Sequence, residues 1–191
     1  MASTGSSYFG FVTGGTHPAA LASAWLAAAW DQNAGLLLPT PAASVVEETA
    51  GRWVKELLGL PAGASFAFVT GCQMAHVTAL AAARHHLLEQ AGWDLAVDGL
   101  AGSPPIRVLV GEQRHITVDR ALRLLGIGSS AVTAVPADDQ GRMRAAELRS
   151  ALADIGGGPT LVCAQAGNID TGACDPMNEI IDAARELGAW V

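Results

Sequence analysis

Three polar clusters in this chain have the residue types and spacing to hold and work on a small ligand. The first is Thr70-Gly71-Cys72-Gln73, which breaks a short apolar run at 66–69 and precedes an Ala- and Leu-rich stretch, 74–88, free of Gly and Pro. A strand, a glycine turn and a helix start leave backbone N–H groups and a partial positive charge facing outward, the geometry that receives a phosphate. Thr70 and Gln73 add side-chain donors. An ordinary strand-to-helix connection holding only water reads the same way, so the turn alone leaves both open.

The second cluster is Arg114-His115-Ile116-Thr117, just after the apolar run 106–110. An imidazole there can lie against a flat ring or exchange a proton near neutral pH, or simply enter the next helix. The third is 165–172, QAGNIDTG, where amide, hydroxyl and carboxylate groups crowd one loop after the apolar run 160–164. All three follow predicted strands, on the edge where parallel sheets gather their ligands. The remaining histidines suggest less. His17 has no assigned role, His76 lies on the helix after the first turn, and His85 and His86 are expected at the surface. No HExxH pairing points to a metal, and no GxGxxG follows the first strand to suggest a nicotinamide cofactor. GGGP at 156–159 follows a helix instead.

The positioning elements read as follows. Residues 1–16 form a Gly/Ser/Thr-rich extended arm with Tyr8, Phe9 and Phe11 as apolar hooks. A helix over 18–30 accepts Pro18 in its first turn, and 36–41 is an apolar loop broken by two prolines. A second helix spans 44–58, with Ser44 and Glu47 spaced as a capping box. From 66 onward strand and helix alternate. Strands are predicted at 66–69, 106–110, 131–135 and 160–164, and helices at 74–88, 118–125, 143–155 and 175–187. Continuous apolar strands between helices predict a mainly parallel α/β sheet covered on both faces. The division expected is 1–60, an arm with two helices, and 61–191, an α/β domain. Residues 189–191 read as the opening of one more strand, so a truncated or split chain is the economical expectation.

Composition narrows the class. The 191 residues are 50% hydrophobic and 15% charged, with a formal charge of −7, which describes a globular chain. Ten arginines accompany a single lysine, Lys55, without a basic stripe, so nucleic acid is not an expected partner. The apolar stretch 18–30 is too short to span a bilayer and no basic residue precedes it, so neither a membrane anchor nor a signal peptide is expected. Cys72, Cys163 and Cys174 lack CxxC spacing and read as thiols of a reducing, cytoplasmic compartment.

At this point the order of motifs resembles the group II pyridoxal-phosphate-dependent decarboxylases, the family of the glutamate and aromatic amino acid decarboxylases. YFGFVTGGTHPAALASAWLAAAWDQN is similar to the arm and first helix of a bacterial branch, and FVTGCQMAHVTALAAAR to the phosphate-binding turn and helix. RHITVDRALRLLGIG resembles the segment with the ring-stacking His, and QAGNIDTGACDP the loop before the cofactor-binding aspartate strand. The likeness runs in order over essentially the whole chain. It implies the N-terminal part of a PLP-dependent transferase-like (aspartate aminotransferase-type) large domain.

Carried onto these positions, the resemblance implies that Gly71, Cys72 and Gln73 hold the phosphate of pyridoxal 5'-phosphate. It implies that His115 stacks on the pyridine ring as the catalytic histidine, that Asn168 and Thr171 lie beside the cofactor, and that Pro39 and Thr40 face the substrate. Common members carry a second Gly and then Ser or Thr where this chain has Cys72 and Gln73, so backbone donors survive the departure and a hydroxyl contact does not. The family's pyridinium-pairing aspartate and Schiff-base lysine lie beyond the matching segments. Lys55, in WVKELLGL, is expected on a solvated helix face. The ring serves as an electron sink in decarboxylation, so the chain alone is expected to be inactive. Two readings follow: part of an amino-acid decarboxylase, acting as a homodimer or with a complementing C-terminal half, or a non-catalytic remnant that binds a partner. An aminotransferase or aldolase fragment is the alternative within the enzyme class.

Overall fold

A computed structural model describes residues 3–8, 10–12 and 14–191 of the chain; the predicted hook Phe9 lies outside the described residues. The chain divides into two compact units, Met1–Phe68 and Val69–Val191.

Among the described residues, the first unit holds two α-helices. α1, Pro18–Trp30, starts with Pro18 in its first turn, and its cap is His17, whose Nδ1 accepts the Ala19 N–H at 3.3 Å. None of its residues is buried. α2, Pro41–Leu57, begins three residues before the predicted Ser44. Proline at the first helical position needs no N–H partner there, so the helix starts at Pro41 and Ser44 lies inside it, its hydroxyl turned back to the Thr40 carbonyl. The arm is not simply extended. Gly10–Val12 forms a short 3-10 turn, and Phe11 is exposed at φ 55°.

The run 66–69 does not form the predicted strand; none of its residues pairs in a sheet. Strand propensity measures fit to a pleated neighbour, and here Phe66 takes a different one. Its ring presses against α2 where Gly51 leaves room, so that any Cβ at Gly51 would run into it. Phe68 meets Phe66 edge-on at 5.8 Å. The Lys55 Nζ lies 5.7 Å from the Phe66 ring centre and donates to the Ala62 and Ala64 carbonyls at 2.8 and 3.0 Å. Lys55 is therefore tied down rather than solvated.

The second unit is built on a parallel sheet in the order β2-β1-β3, with β1 Arg107–Gly111, β2 Val132–Val135 and β3 Thr160–Cys163. Val108 pairs with Val132 on one side and Leu161 on the other; Leu109 pairs with Thr133 and Val162. Alternation along β1 then feeds two cores. Val108 and Val110 face α3 (Cys72–Gln90) and α5 (Ile116–Leu124), against Leu80, Leu87, Leu88 and Leu122. Leu109, with Val162, faces α6 (Ala145–Ile155) and α7 (Met177–Glu186), against Leu148, Leu152 and Ile180. Both faces are covered, as continuous apolar strands require.

Trp190 joins the free side of β3. Its N–H donates to Thr160 at 2.9 Å and its carbonyl accepts from Val162 at 2.7 Å, in parallel register with Leu161. A four-residue helix, α4 (Leu95–Asp98), occupies the predicted loop after α3, capped by the Asp94 carboxylate. His86 is half-buried rather than a surface residue, its ring 4.7 Å from that of Trp190.

Candidate functional site

The loops leaving the carboxyl ends of β1, β2 and β3 converge on one edge of the second unit. α3 begins at Cys72 with Gly71 as its cap, and no side chain caps it. Gly71 sits at φ 156°, ψ 175°, a conformation that side chains disfavour, and the space at its missing Cβ is open. The backbone N–H groups of Cys72, Gln73 and Met74 have no hydrogen-bond partner among the described residues. An uncapped helix start in open space has donor groups of the kind that anions accept from.

Beside it stands the β1–α5 turn. Gln73 Nε2 donates to the Thr117 carbonyl at 3.2 Å, tying the first turn of α3 to that of α5. His115 caps α5: its Nδ1 accepts the Thr117 N–H at 3.3 Å and lies 2.8 Å from Thr117 Oγ1. The imidazole is exposed, and its Nε2 has no partner among the described residues. Arg114 is turned away into an ion pair with Asp119 at 3.0 Å.

The third cluster closes the edge. Asn168 is buried, and its Oδ1 accepts the N–H groups of Asp170 and Thr171 at 2.9 and 3.2 Å. Its Nδ2 donates to Gln113 Oε1, on the turn before His115, at 3.2 Å. The Thr171 hydroxyl donates to the Gln140 carbonyl at 2.7 Å, so it is committed to the β2–α6 loop. That loop is shaped by Asp138, whose carboxylate accepts the N–H groups of Gln140 and Arg142 and the Arg142 guanidinium. These bonds, led by the Arg142 N–H, hold the Asp138 carboxyl below its ordinary value. Asp175, also buried, accepts from Met143 N and Gln165 N at 2.8 and 2.7 Å, pinning the β3–α7 loop to the start of α6.

Gly71, Cys72, Gln73, His115, Asn168 and Thr171 thus fall on one edge, joined through Thr117 and Gln113. Pro39 and Thr40 belong to the first unit. Thr40 is fully buried there, and its hydroxyl donates to the Asn33 carbonyl at 2.5 Å. Gln113, Gly141 and Asp175 are site-edge residues that sequence reasoning passed over. The fold alone makes them neighbours of the motifs.

Comparison with known proteins bears on the family and the fold. The profile described as "Pyridoxal-dependent decarboxylase conserved domain" matches residues 3–191. The aromatic-L-amino-acid decarboxylase of Bacillus atrophaeus is 31% identical over 166 residues, covering 85% of this chain and 31% of that protein. The L-2,4-diaminobutyrate decarboxylase of Rhizobium meliloti is 33% identical over 165 residues, covering 85% of this chain and 30% of that protein. Among solved structures, Oryza sativa TDC with PLP and tryptamine superposes with a TM-score of 0.80 at 29% identity, over 92% of this chain and 38% of that one. The glutamate decarboxylase domain of a Vibrio parahaemolyticus diaminobutyrate enzyme gives 0.85 at 25% identity, over 92% and 39%. The chain spans about a third of the length of the curated relatives it matches. Its α/β fold is that of the corresponding part of these decarboxylases, and the chain belongs to the pyridoxal-dependent decarboxylase family.

Proposed function

We propose that the chain forms the phosphate- and ring-holding side of a pyridoxal-phosphate-dependent amino-acid decarboxylase site, a carboxy-lyase site completed by a lysine that these 191 residues do not offer. The observation that carries this is the Gln73–Thr117 hydrogen bond, which sets the partnerless N–H groups of α3 beside the His115 imidazole. Pyridoxal phosphate fits these residues. An anionic ester meets N–H donors at an uncapped helix start, Gly71 leaves room for it, and an exposed imidazole stands alongside for a flat ring.

When bound, the cofactor supplies an electron sink for the pair left at the substrate's Cα as carbon dioxide departs. The chain's own residues bind and orient. The N–H groups of Cys72 and Gln73, with that of Met74, hold the phosphate. His115, fixed at Nδ1 by Thr117, lies against the ring and keeps Nε2 free to hold a proton. Asn168 and Thr171 shape the adjoining edge, Thr171 through Gln140. The turn of Pro39 and Thr40 serves as a substrate-side element, shaped by the Thr40–Asn33 bond.

The chain alone does not turn over amino acids in this reading, because its single lysine is held by the Ala62 and Ala64 carbonyls. A homodimer is part of the same reading. It is supported by α1, whose Leu21, Trp25, Leu26 and Trp30 are all exposed on a helix without a charged residue. Three free cysteines fit a reducing, cytoplasmic setting.

A titration with pyridoxal phosphate, followed by absorbance and by tryptophan fluorescence, tests the assignment. Saturable binding that phosphate-free pyridoxal does not reproduce is expected, without carbon dioxide release from added amino acids. Equal binding of the two compounds, or of neither, would sink it.

A further inference from the structure

We propose that Gln113 is a positioning residue of this site: its side chain sets the spacing between the His115 turn and the Asn168 loop, and so the tilt at which a flat ring is held. The proposal rests on the function proposed above. Gln113 lies in the turn leaving β1, two residues before His115, and its Oε1 accepts from Asn168 Nδ2 at 3.2 Å. The other end of the Asn168 amide is already used. Oδ1 accepts from Asp170 and Thr171, while backbone bonds from Asn168 N to Ala173 O and from Gly172 N to Asn168 O, both 2.8 Å, close the loop.

An asparagine amide offers one acceptor end and one donor end. Without an acceptor at Gln113 the buried Nδ2 has no partner, and the amide loses the reason to hold Oδ1 on its own loop. The third loop closes the arrangement. A Cβ on Gly141 would stand 2.5 Å from Gln113 Oε1 and 2.6 Å from Asn168 Nδ2, so only glycine, here at φ 80°, lets the β2–α6 loop lie against this pair. Gly141, Gln113 and Asn168 thus lie against one another where the three loops meet. The Gln113–Asn168 bond is the side-chain link between the turn that leads to His115 and the edge that carries Asn168 and Thr171. A ring whose phosphate is held at α3 takes its tilt from the two loops that border it.

The test compares Gln113→Met, similar in size but with no strong acceptor, with Gln113→Glu, which keeps an acceptor in place, in the full chain. Two quantities are read: amide hydrogen exchange at Asp170 and Thr171 without cofactor, and affinity with induced circular dichroism in the absorption band of added pyridoxal phosphate. Gln113→Met is expected to speed exchange at both amides, weaken cofactor binding about tenfold and alter the induced signal. Gln113→Glu is expected to preserve all three. Wild-type affinity and dichroism in Gln113→Met, with faster loop exchange, would show a purely structural role and overturn the proposal while leaving the functional reading intact. Absence of any induced signal in the unaltered chain would instead overturn the functional reading and this proposal with it.

Discussion

The side-chain amide of Gln73 and the carbonyl of Thr117, 44 residues apart in the chain, meet at 3.2 Å and hold two helix starts side by side. One start offers free N–H groups; the other is capped by His115. Gln73→Leu keeps most of the side-chain volume and removes this bond. The α3–α5 core at Leu80, Leu87 and Leu122 is untouched, so the expected stability loss is only about 1 kcal/mol by urea unfolding. Cofactor affinity should fall by more than that loss implies, because the two helix starts are no longer held in register. A full kcal/mol lost without any change in affinity would argue against the pairing of the two motifs.

Gly71→Ala tests the turn itself. The added methyl meets nothing within 4 Å, so a steric clash is not at issue. The backbone at φ 156° is, since a side chain there carries a strain of about 1–3 kcal/mol. The chain relieves it by rotating the segment that aims the Cys72 and Gln73 N–H groups. Phosphate-dependent binding is expected to weaken about tenfold, while the far-ultraviolet circular dichroism of the chain stays unchanged. Calorimetric titration with pyridoxal phosphate provides the check.

The parallel sheet was legible in the amino-acid pattern because its strands are unbroken apolar runs between helices. Val108, Leu109 and Val110 could be assigned to a doubly covered strand before any coordinates. Phe66 looked the same and behaves otherwise, since a strand requires a partner ladder and no window of sequence reports whether one is nearby. The start of α2 was misplaced because a capping-box spacing at Ser44 competes with a proline three residues earlier, and the proline wins by removing an N–H. α4 is too short for periodicity to register; only Asp94 announces it. In the site, each motif was visible by itself. Gln113 with Asn168 was not, because 55 residues separate them and only the register of β1 and β3 brings their loops together.

The three thiols should separate cleanly. Cys72 and Cys174 are exposed. Burial pushes the Cys163 thiol up to about 12, against a smaller opposing effect of the Arg114 charge. At pH 8 roughly one Cys163 in ten thousand is then thiolate, and the thiolate is the nucleophile. Iodoacetamide at that pH is expected to modify Cys72 and Cys174 and spare Cys163 until the chain is unfolded in urea. Added pyridoxal phosphate should slow the modification of Cys72 and not that of Cys174. Peptide mapping by mass spectrometry reads both effects, and modification of Cys72 at an unchanged rate in the presence of saturating pyridoxal phosphate would remove it from the phosphate turn.

The β2–α6 loop carries an acid-sensitive element. Asp138 has its pKa lowered, first by the Arg142 N–H and then by the Arg142 guanidinium and the Gln140 N–H. A carboxyl lowered in the folded chain contributes stability that is present above its unfolded value, about 3.9, and is lost as pH falls through the lower folded value. Between pH 5 and 8 the loop should therefore be indifferent to pH, and it should loosen only below about pH 4. Asp138→Asn is expected to remove that acid response, with faster amide exchange at Gln140 and Arg142 already at neutral pH. An unchanged acid profile in this variant would assign the response to another carboxylate.

Lys55 decides whether these 191 residues carry a lysine able to reach an aldehyde. Its ammonium donates to two backbone carbonyls and lies over the Phe66 ring, so using it as a nucleophile requires breaking both bonds and removing a proton. Those contacts shape the turn after α2. Lys55→Met is thus expected to cost about 1–2 kcal/mol of stability through the freed carbonyls of Ala62 and Ala64, while leaving pyridoxal phosphate affinity within twofold. Borohydride reduction of the cofactor-saturated native chain should leave Lys55 unlabelled, whereas the same treatment in urea should label it. Stoichiometric labelling of Lys55 in the folded chain, together with carbon dioxide release from an amino acid, would make the chain an enzyme in its own right and overturn this assignment.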